Sequence, residues 1–133
     1  MSRTRSSSVA ARRSRGEPPS GARSPCPIAC TLDLIGDRWT LLVIRDLLLG
    51  KAHYKEFLES PERVATNILA QRLARLVEGG LIERSPSEVY PGREAYRLTQ
   101  KGASLRPLVE QMTDWGLKNI EGTSARLAGR SAS

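Results

Sequence analysis

Apolar residues recur at three- and four-residue steps along most of residues 28–120, which is the spacing of one face of a helix. This pattern predicts helices that begin after Cys26, at Trp39, at Tyr54 and at Thr66 or Ala65, and a last helix that Thr99 caps. The second helix, Trp39 to Leu49, is apolar most of the way round, so we expect it at the centre of the core. Pro107 interrupts the last stripe and should kink or restart that helix.

Between the fourth and the last helix the pattern changes to that of two strands. A Gly-Gly pair ends the helix, and the predicted strands are Leu81 to Ser85 and Arg93 to Leu98, joined by a loop from Pro86 to Gly92. With 133 residues the chain has room for one domain. The predicted fold is mainly α with a small β-hairpin: a winged helix-turn-helix with extra N- and C-terminal dimerisation helices.

The fourth predicted helix has two distinct faces. Its apolar residues form one stripe, made of Ile68, Leu69, Leu73, Leu76 and Val77. Off that stripe stand amide and guanidinium side chains, which are the groups that pair with base edges and phosphates in a DNA major groove. The candidate DNA-binding residues are Thr66, Asn67, Gln71, Arg72 and Arg75 on this helix. Arg93 is a further candidate on the predicted β-hairpin, Leu81 to Leu98, which we call the wing. An ordinary solvated face is the alternative, and for Arg75 also an ion pair with Glu78.

The first and last predicted helices lie outside the minimal winged-helix core, and each carries an apolar stripe that needs a partner. The stripe of the last helix consists of Leu105, Leu108, Val109, Met112, Trp115 and Ile120. A second copy of the chain supplies such a partner, so we expect a homodimer formed through these two helices. In a dimer with two-fold symmetry, the two copies of the fourth helix, which we call the recognition helix, lie about one DNA turn apart.

The formal net charge of +7 is concentrated near the two ends of the chain. Residues 1–24 carry six arginines and one glutamate, and residues 122–133 add two arginines, which leaves 13 basic and 13 acidic side chains in residues 25–121. We expect residues 1–24 and 122–133 to be disordered tails that add a sequence-independent attraction to phosphates. Residues 25–121 are the expected DNA-binding domain, which needs a segregated basic face because it is neutral overall.

The sequence offers little that is typical of a catalytic or metal site. The single histidine, His53, stands apart from any nucleophile or metal-ligand set and is interpreted as a surface side chain. We therefore predict that the chain is not an enzyme and uses no cofactor or metal. No apolar run reaches the roughly 20 residues of a membrane span. Two cysteines four residues apart do not form a disulfide framework, which indicates the reducing cytoplasm.

An ordered set of short motifs runs through residues 26–117. They are Cys26-Pro27, Gly36-Asp37-Arg38-Trp39-Thr40-Leu41-Leu42, Arg45-Asp46-Leu47, Thr66-Asn67-Ile68-Leu69, Gln71-Arg72-Leu73, Gly80-Leu81-Ile82, Arg93, Tyr96, Leu98-Thr99-Gln100-Lys101-Gly102 and Trp115-Gly116. The set resembles the HxlR-type bacterial transcription regulators, which are winged-helix proteins related to the MarR group. The resemblance implies a cytoplasmic homodimer that binds pseudo-palindromic operators in double-stranded DNA. Ala65 stands where the family commonly has serine, which leaves the helix cap to Thr66 or to water.

The resemblance also bears on Cys26 and Cys30, which are one helical turn apart at a predicted helix start. The positive end of a helix dipole favours the thiolate. Some HxlR-type proteins sense oxidants or electrophiles through a cysteine that matches Cys26, so redox sensing is one hypothesis and a small-molecule or oxidant effector a candidate partner. A buried structural role for the thiols is the alternative.

Two other functions remain as alternatives. A thiolate metal sensor of the ArsR kind would use Cys26 and Cys30, although two thiolates without a nearby histidine or third cysteine form an incomplete zinc set. A winged helix that binds protein instead of DNA would agree with the even charge of residues 25–121.

Overall fold

The computed structural model describes residues 24–124. The predicted disordered tails, 1–24 and 122–133, lie outside these residues except at Ser24 and at positions 122–124. The chain divides into two compact units between Arg38 and Trp39. Its elements are α1 (Pro27–Ile35), α2 (Arg38–Leu48), α3 (Tyr54–Leu58), α4 (Thr66–Glu78), β1 (Ile82–Pro86), β2 (Glu94–Leu98), α5 (Gln100–Ala103) and α6 (Arg106–Asn119).

The first unit contains α1, which begins after Cys26 as the sequence predicts. Cys26 is the N-cap residue, and the proline that follows it occupies the first helical position, where its missing N–H costs nothing. Ile35 at the other end of α1 is buried, whereas Ile28 and Leu32 are largely exposed. The helix therefore carries apolar surface that faces solvent in the single chain.

The core of the second unit is mostly aliphatic, with one aromatic residue, and comes from three helices and the start of β1. Its buried apolar residues are Val43, Ile44, Leu47, Phe57, Leu69, Leu73, Leu76, Leu81 and Ile82. Within α4, the buried residues follow the predicted stripe at three- and four-residue steps. The prediction that α2 lies in the core is confirmed by the burial of Val43, Ile44 and Leu47, but Arg45 and Asp46 are buried in the same helix, which the sequence pattern did not indicate.

Arg45 is buried with two carboxylates that neutralise it, the buried Asp46 and the half-buried Glu62. Its Nη1 and Nη2 atoms donate to Glu62 Oε2 and Oε1 at 2.8 and 2.9 Å, and its Nε and Nη2 atoms donate to Asp46 Oδ1 at 3.0 and 2.8 Å. Burial alone lowers the pKa of Arg45, but the hydrogen bonds and charges of Glu62 and Asp46 outweigh it and hold that pKa above its ordinary value. The guanidinium is therefore fully charged and bonded on two sides.

Two further side chains extend this group, which we call the Arg45 cluster: Arg45, Asp46, Lys51, Ser60 and Glu62. The Ser60 hydroxyl donates to Asp46 Oδ2, and Lys51 Nζ donates to Ser60 Oγ at 2.8 Å. Ser60 and Glu62 lie in the turn between α3 and α4, so the cluster ties that turn to α2. The turn also contains Arg63 at a φ of 60°, a left-handed conformation that a non-glycine residue keeps only when its surroundings hold it.

The junction between α4 and β1 explains a one-residue shift from the predicted strand. Leu81 N–H donates to Leu76 O at 2.9 Å and Gly80 N–H to Val77 O at 3.0 Å, which is the Schellman pattern of a helix end. Gly80 takes the left-handed φ of 76° that this pattern requires. Because the Leu81 N–H belongs to the helix end, the strand starts at Ile82 and pairs antiparallel with β2, with Ile82 opposite Leu98.

The predicted last helix is two helices. The Thr99 hydroxyl accepts from Gly102 N–H and caps α5, and the chain restarts as α6 with Pro107 in its first turn, which confirms the predicted restart. Gly102 packs against the hairpin so closely that a Cβ there would lie 2.0 Å from Leu81 O. The predicted fold class, mainly α with a small β-hairpin, is confirmed. No helix within residues 24–124 combines the length and apolarity needed to cross a membrane.

We predict that Arg45→Met lowers the free energy of unfolding by about 3–5 kcal/mol, because buried Asp46 and half-buried Glu62 both lose the guanidinium that bonds them, and within the Arg45 cluster only Lys51, 3.9 Å from Asp46 Oδ1, remains as a counter-charge. The matched control is Arg97→Met. Arg97 pairs with Glu83 across the hairpin at 2.9 Å, but its side chain is 75% exposed, so we expect a loss below about 1 kcal/mol. Urea denaturation of both variants measures the difference, and equal losses would contradict the structural role of the Arg45 cluster.

Candidate nucleic-acid interface

The solvent face of α4 carries the polar residues that the sequence singled out. Thr66, Asn67, Gln71 and Arg75 are exposed, and Arg72 is half-buried. Asn67, Gln71 and Arg75 follow one another at four-residue steps, so they form one row along the helix. The apolar stripe on the other side is buried, which leaves this row directed to solvent. Arg72 Nη1 donates to Gln71 Oε1 at 3.3 Å.

The start of α4 differs from the expected cap. Ala65 is the N-cap residue and provides no side-chain hydrogen bond, while Thr66 is the first helical residue. Of the two caps expected, Thr66 or water, Thr66 is excluded because it stands one position after the N-cap. The first backbone N–H groups of α4 consequently lack a side-chain acceptor at the N-cap, in the place where a helix offers hydrogen bonds to an anion.

Tyr54 on α3 fixes this end of α4. Its hydroxyl donates to Thr66 O at 2.6 Å. Burial, and then the charge of Tyr96, raises the pKa of Tyr54, so the hydroxyl keeps the proton that it donates. Helix α3 thus sets the first turn of α4 through a direct hydrogen bond.

Arg93 lies in the loop of the wing. The sequence placed it in the second strand, but β2 begins one residue later, at Glu94. Arg93 N–H donates to Tyr90 O at 3.1 Å and Arg93 O accepts from Ser87 N–H at 2.8 Å, so its backbone closes the loop while its side chain is exposed. The side chain is therefore available to an external partner.

His53 connects the wing to α3, which corrects its interpretation as a plain surface residue. Its side chain is only 14% exposed. His53 Nε2 lies 2.8 Å from Ser87 Oγ, and its ring meets Tyr90 edge-on at 4.8 Å between centroids. Ser87 Oγ also accepts from Val89 and Tyr90 N–H, so its own hydrogen is left to donate to His53 Nε2.

A second contact between wing and α3 is made by backbone atoms alone, where Tyr96 N–H donates to Ala52 O at 2.8 Å. Sequence reasoning missed both contacts. Ser87 is 34 residues from His53, and a serine in a polar loop gives no sign of its partner. The wing is therefore held against the start of α3 at its loop and at β2.

Cys26 and Cys30 lie one turn apart at the start of α1, as predicted. Cys26 is exposed and Cys30 is half-buried, and both are free thiols. Cys30 Sγ donates to Ser24 O at 3.1 Å, so only Cys26 presents an exposed sulfur. Among residues 24–124, no three His, Cys, Asp or Glu side chains lie together as a metal site.

Comparison with known proteins places the chain in a family. The HxlR-like helix-turn-helix model matches residues 34–124. The uncharacterised HTH-type transcriptional regulator YdeP of Bacillus subtilis (strain 168) is 33% identical over 93 residues, which are 70% of this chain and 73% of YdeP.

PA1607 and the redox regulator HypR are among the solved structures that resemble the chain. PA1607 has a TM-score of 0.69 at 39% identity, over 77% of this chain and 72% of PA1607. The redox regulator HypR in its reduced form has a TM-score of 0.66 at 30% identity, over 72% of this chain and 95% of HypR. These matches confirm the family resemblance and the winged helix-turn-helix fold.

We predict a pH-dependent contribution from Glu56, whose carboxylate closes the start of α3. Its Oε1 accepts from Ala52 and His53 N–H at 2.9 and 2.8 Å, and these backbone hydrogen bonds lower the pKa of Glu56. Because the folded pKa lies below the ordinary 4.5, the stabilisation is complete above pH 4.5 and is lost as the pH falls through the folded value. Glu56→Gln should therefore reduce stability at neutral pH and match the wild type in acid.

The control is Glu59→Gln, which removes a carboxylate from the other end of α3 and leaves the two backbone hydrogen bonds of Glu56 in place. Chemical denaturation across the acid range measures both variants. A stability difference for Glu56→Gln that stays constant with pH would show that the carboxylate charge is not what stabilises the helix start.

Proposed function

Because this chain belongs to the HxlR-like helix-turn-helix family, we propose that it regulates transcription by binding a pseudo-palindromic operator as a homodimer, with no catalytic step. The observation that carries the proposal is the row of Asn67, Gln71 and Arg75 on the solvent face of α4, opposite a buried apolar stripe. A helix fixed in this way presents amide and guanidinium groups at the width of a major groove.

The side chains divide by the chemistry of their DNA partners. Asn67 and Gln71 are suited to bidentate hydrogen bonding with adenine. Each good pair contributes about 1–3 kcal/mol of discrimination against the wrong base. Thr66 at the helix start is suited to a base edge, and Arg72 and Arg75 are suited to guanine or to phosphates. Arg93 on the wing is suited to the minor groove or its flanking phosphates. The open N-cap at Ala65 adds backbone donors for a phosphate.

Local charge supports this assignment better than total charge does. Residues 25–121 are neutral overall, yet α4 contains Arg72 and Arg75 and no acid before Glu78 in its last position. A helix face that carries two arginines and no acid before its last position attracts phosphates even though the domain as a whole is neutral. This distribution favours DNA over a protein partner.

The exposed apolar residues of α1 and α6 support the homodimer. On α1, Ile28 is 71% exposed, and on α6, Met112 and Trp115 are 52% and 63% exposed. Met112 and Trp115 are three residues apart, so they lie on one face of α6. Large apolar side chains this exposed are costly in water, and a second copy of the chain, which carries the same faces, covers them symmetrically.

We predict that Gln71→Ala weakens operator binding by about 5- to 150-fold, the equivalent of 1–3 kcal/mol, and leaves affinity for random DNA nearly unchanged. The operator is first selected from a library of random duplexes. Gln100→Ala, which removes another exposed glutamine from the start of α5, is the matched control and should have no effect.

A fluorescence-anisotropy titration at several salt concentrations measures these affinities. Operator affinity should fall by orders of magnitude between low and moderate salt. Equal losses on operator and random DNA would show that Gln71 reads no base. An affinity for DNA that does not change with salt concentration would instead favour the protein-binding alternative.

We also propose that oxidation of Cys26 alters operator affinity. The exposed sulfur at the N-cap of α1 is the observation that favours this, and the similarity to the redox regulator HypR supports it. Hypochlorite transfers its oxygen to the thiolate, which becomes a sulfenic acid as chloride leaves. Cys30 is less accessible because it is half-buried and bonded to Ser24 O.

We predict that hypochlorite changes the operator affinity of the wild type by about 5- to 150-fold, the usual range of coupling between two sites, and that a thiol reductant restores it. Cys26→Ser should abolish the response, and Cys30→Ser, the matched control, should keep it. An unchanged affinity in the wild type, or an equal response in Cys26→Ser, would contradict the proposal.

A further inference from the structure

An open groove of about 500 Å³ lies between α3 and the wing. The chain has three tyrosines, and all three, Tyr54, Tyr90 and Tyr96, line this groove. The sequence contains only three other aromatic residues, two Trp and one Phe. Half of its aromatic side chains therefore meet in one concave surface, which we call the tyrosine groove.

The size of the tyrosine groove fits a small molecule, because ligand sites typically enclose about 300–1,000 Å³ and combine apolar or aromatic walls with a few polar groups. Its charged lining residues are Lys55, Arg93 and Glu94, so cations outnumber acids. Lys55 Nζ lies 5.5 Å from the centre of the Tyr90 ring, which places a cation beside an aromatic face. This pairing favours a ligand that has both a flat ring and a negative charge.

The walls of the tyrosine groove are held in place without a ligand. His53 packs edge-on against Tyr90 at 4.8 Å, and Phe57 packs similarly against Tyr96 at 6.4 Å between ring centroids. The Tyr54 hydroxyl is occupied by its hydrogen bond to Thr66 O. A site whose aromatic walls are already ordered loses little entropy when a ligand enters.

We propose that the tyrosine groove binds a planar aromatic carboxylate, with its ring against the tyrosines and its carboxylate near Lys55 and Arg93. One wall, Tyr54, holds the first residue of α4, and another part of the lining, Arg93, belongs to the wing. Occupation of the groove therefore changes operator affinity. This regulatory consequence depends on the proposed function, whereas the binding itself does not.

The binding test uses 2-naphthoate as the probe and the full chain without DNA. A titration followed by two-dimensional NMR should give saturable shifts of the Tyr90, Gly92 and Tyr96 amides. Lys55→Met and Tyr90→Ala should each weaken binding by about five- to tenfold. The matched control, Lys118→Met, removes a lysine from α6 and should bind as the wild type does.

Three comparison compounds define the ligand class. The neutral 2-naphthamide tests the charge, cyclohexanecarboxylate tests the flat ring, and inorganic phosphate tests whether any anion suffices. All three should bind at least about fivefold more weakly than 2-naphthoate. Absence of saturable shifts, equal binding of the amide, or equal binding of phosphate would overturn the proposal.

A second measurement separates the regulatory claim from the proposed function. Saturating 2-naphthoate should change the operator affinity of the wild type by at least about fivefold. Binding of 2-naphthoate with no change in operator affinity would overturn the regulatory claim. A chain that binds 2-naphthoate but no DNA would contradict the proposed function and leave the ligand site standing.

Discussion

The buried charge cluster around Arg45 is the constraint on which the geometry of α4 depends. Burying a guanidinium costs folding free energy unless its N–H groups are hydrogen-bonded. Here Glu62 and Asp46 accept those hydrogen bonds from two directions. Because Glu62 lies in the turn that leads into α4, satisfying Arg45 also fixes where α4 begins. The apolar stripe of α4 then determines its rotation, since Leu69, Leu73 and Leu76 are buried. Position and rotation together leave Asn67 and Gln71 facing solvent.

The wing is attached differently from α4. It contacts the start of α3 through the His53–Ser87 pair and the Tyr96–Ala52 backbone bond, and its outer loop residues Val89 and Tyr90 are exposed. These polar contacts lie beside the tyrosine groove, which His53 and Tyr96 help to line. Helix α4, in contrast, is anchored by buried leucines. The molecule that we propose for the groove would lie beside this attachment of the wing, which depends on a few hydrogen bonds and aromatic contacts, and away from the packed core that anchors α4.

Much of this fold could be predicted from the sequence because its signals are local. Periodic leucines predict α4, and the Gly-Gly pair predicts its end; the strand began one residue late only because Leu81 completes the helix end. The Arg45 cluster could not be predicted in this way, since Glu62 is 17 residues from Arg45 and each resembles a solvated charge in the sequence. The contact between His53 and Ser87 was equally unpredictable, because these residues are 34 positions apart. The polar face of α4 was predictable, but its role depends on a partner, so it stays a prediction.

The central claim is that two copies of the chain read one operator with two recognition helices. Hydroxyl-radical footprinting of the selected operator tests it most directly, because this probe reports protection of the backbone at single nucleotides. We expect two protected patches on one face of the duplex, about 10 base pairs apart and related by two-fold symmetry. A single patch, or protection spread evenly along the duplex, would contradict it.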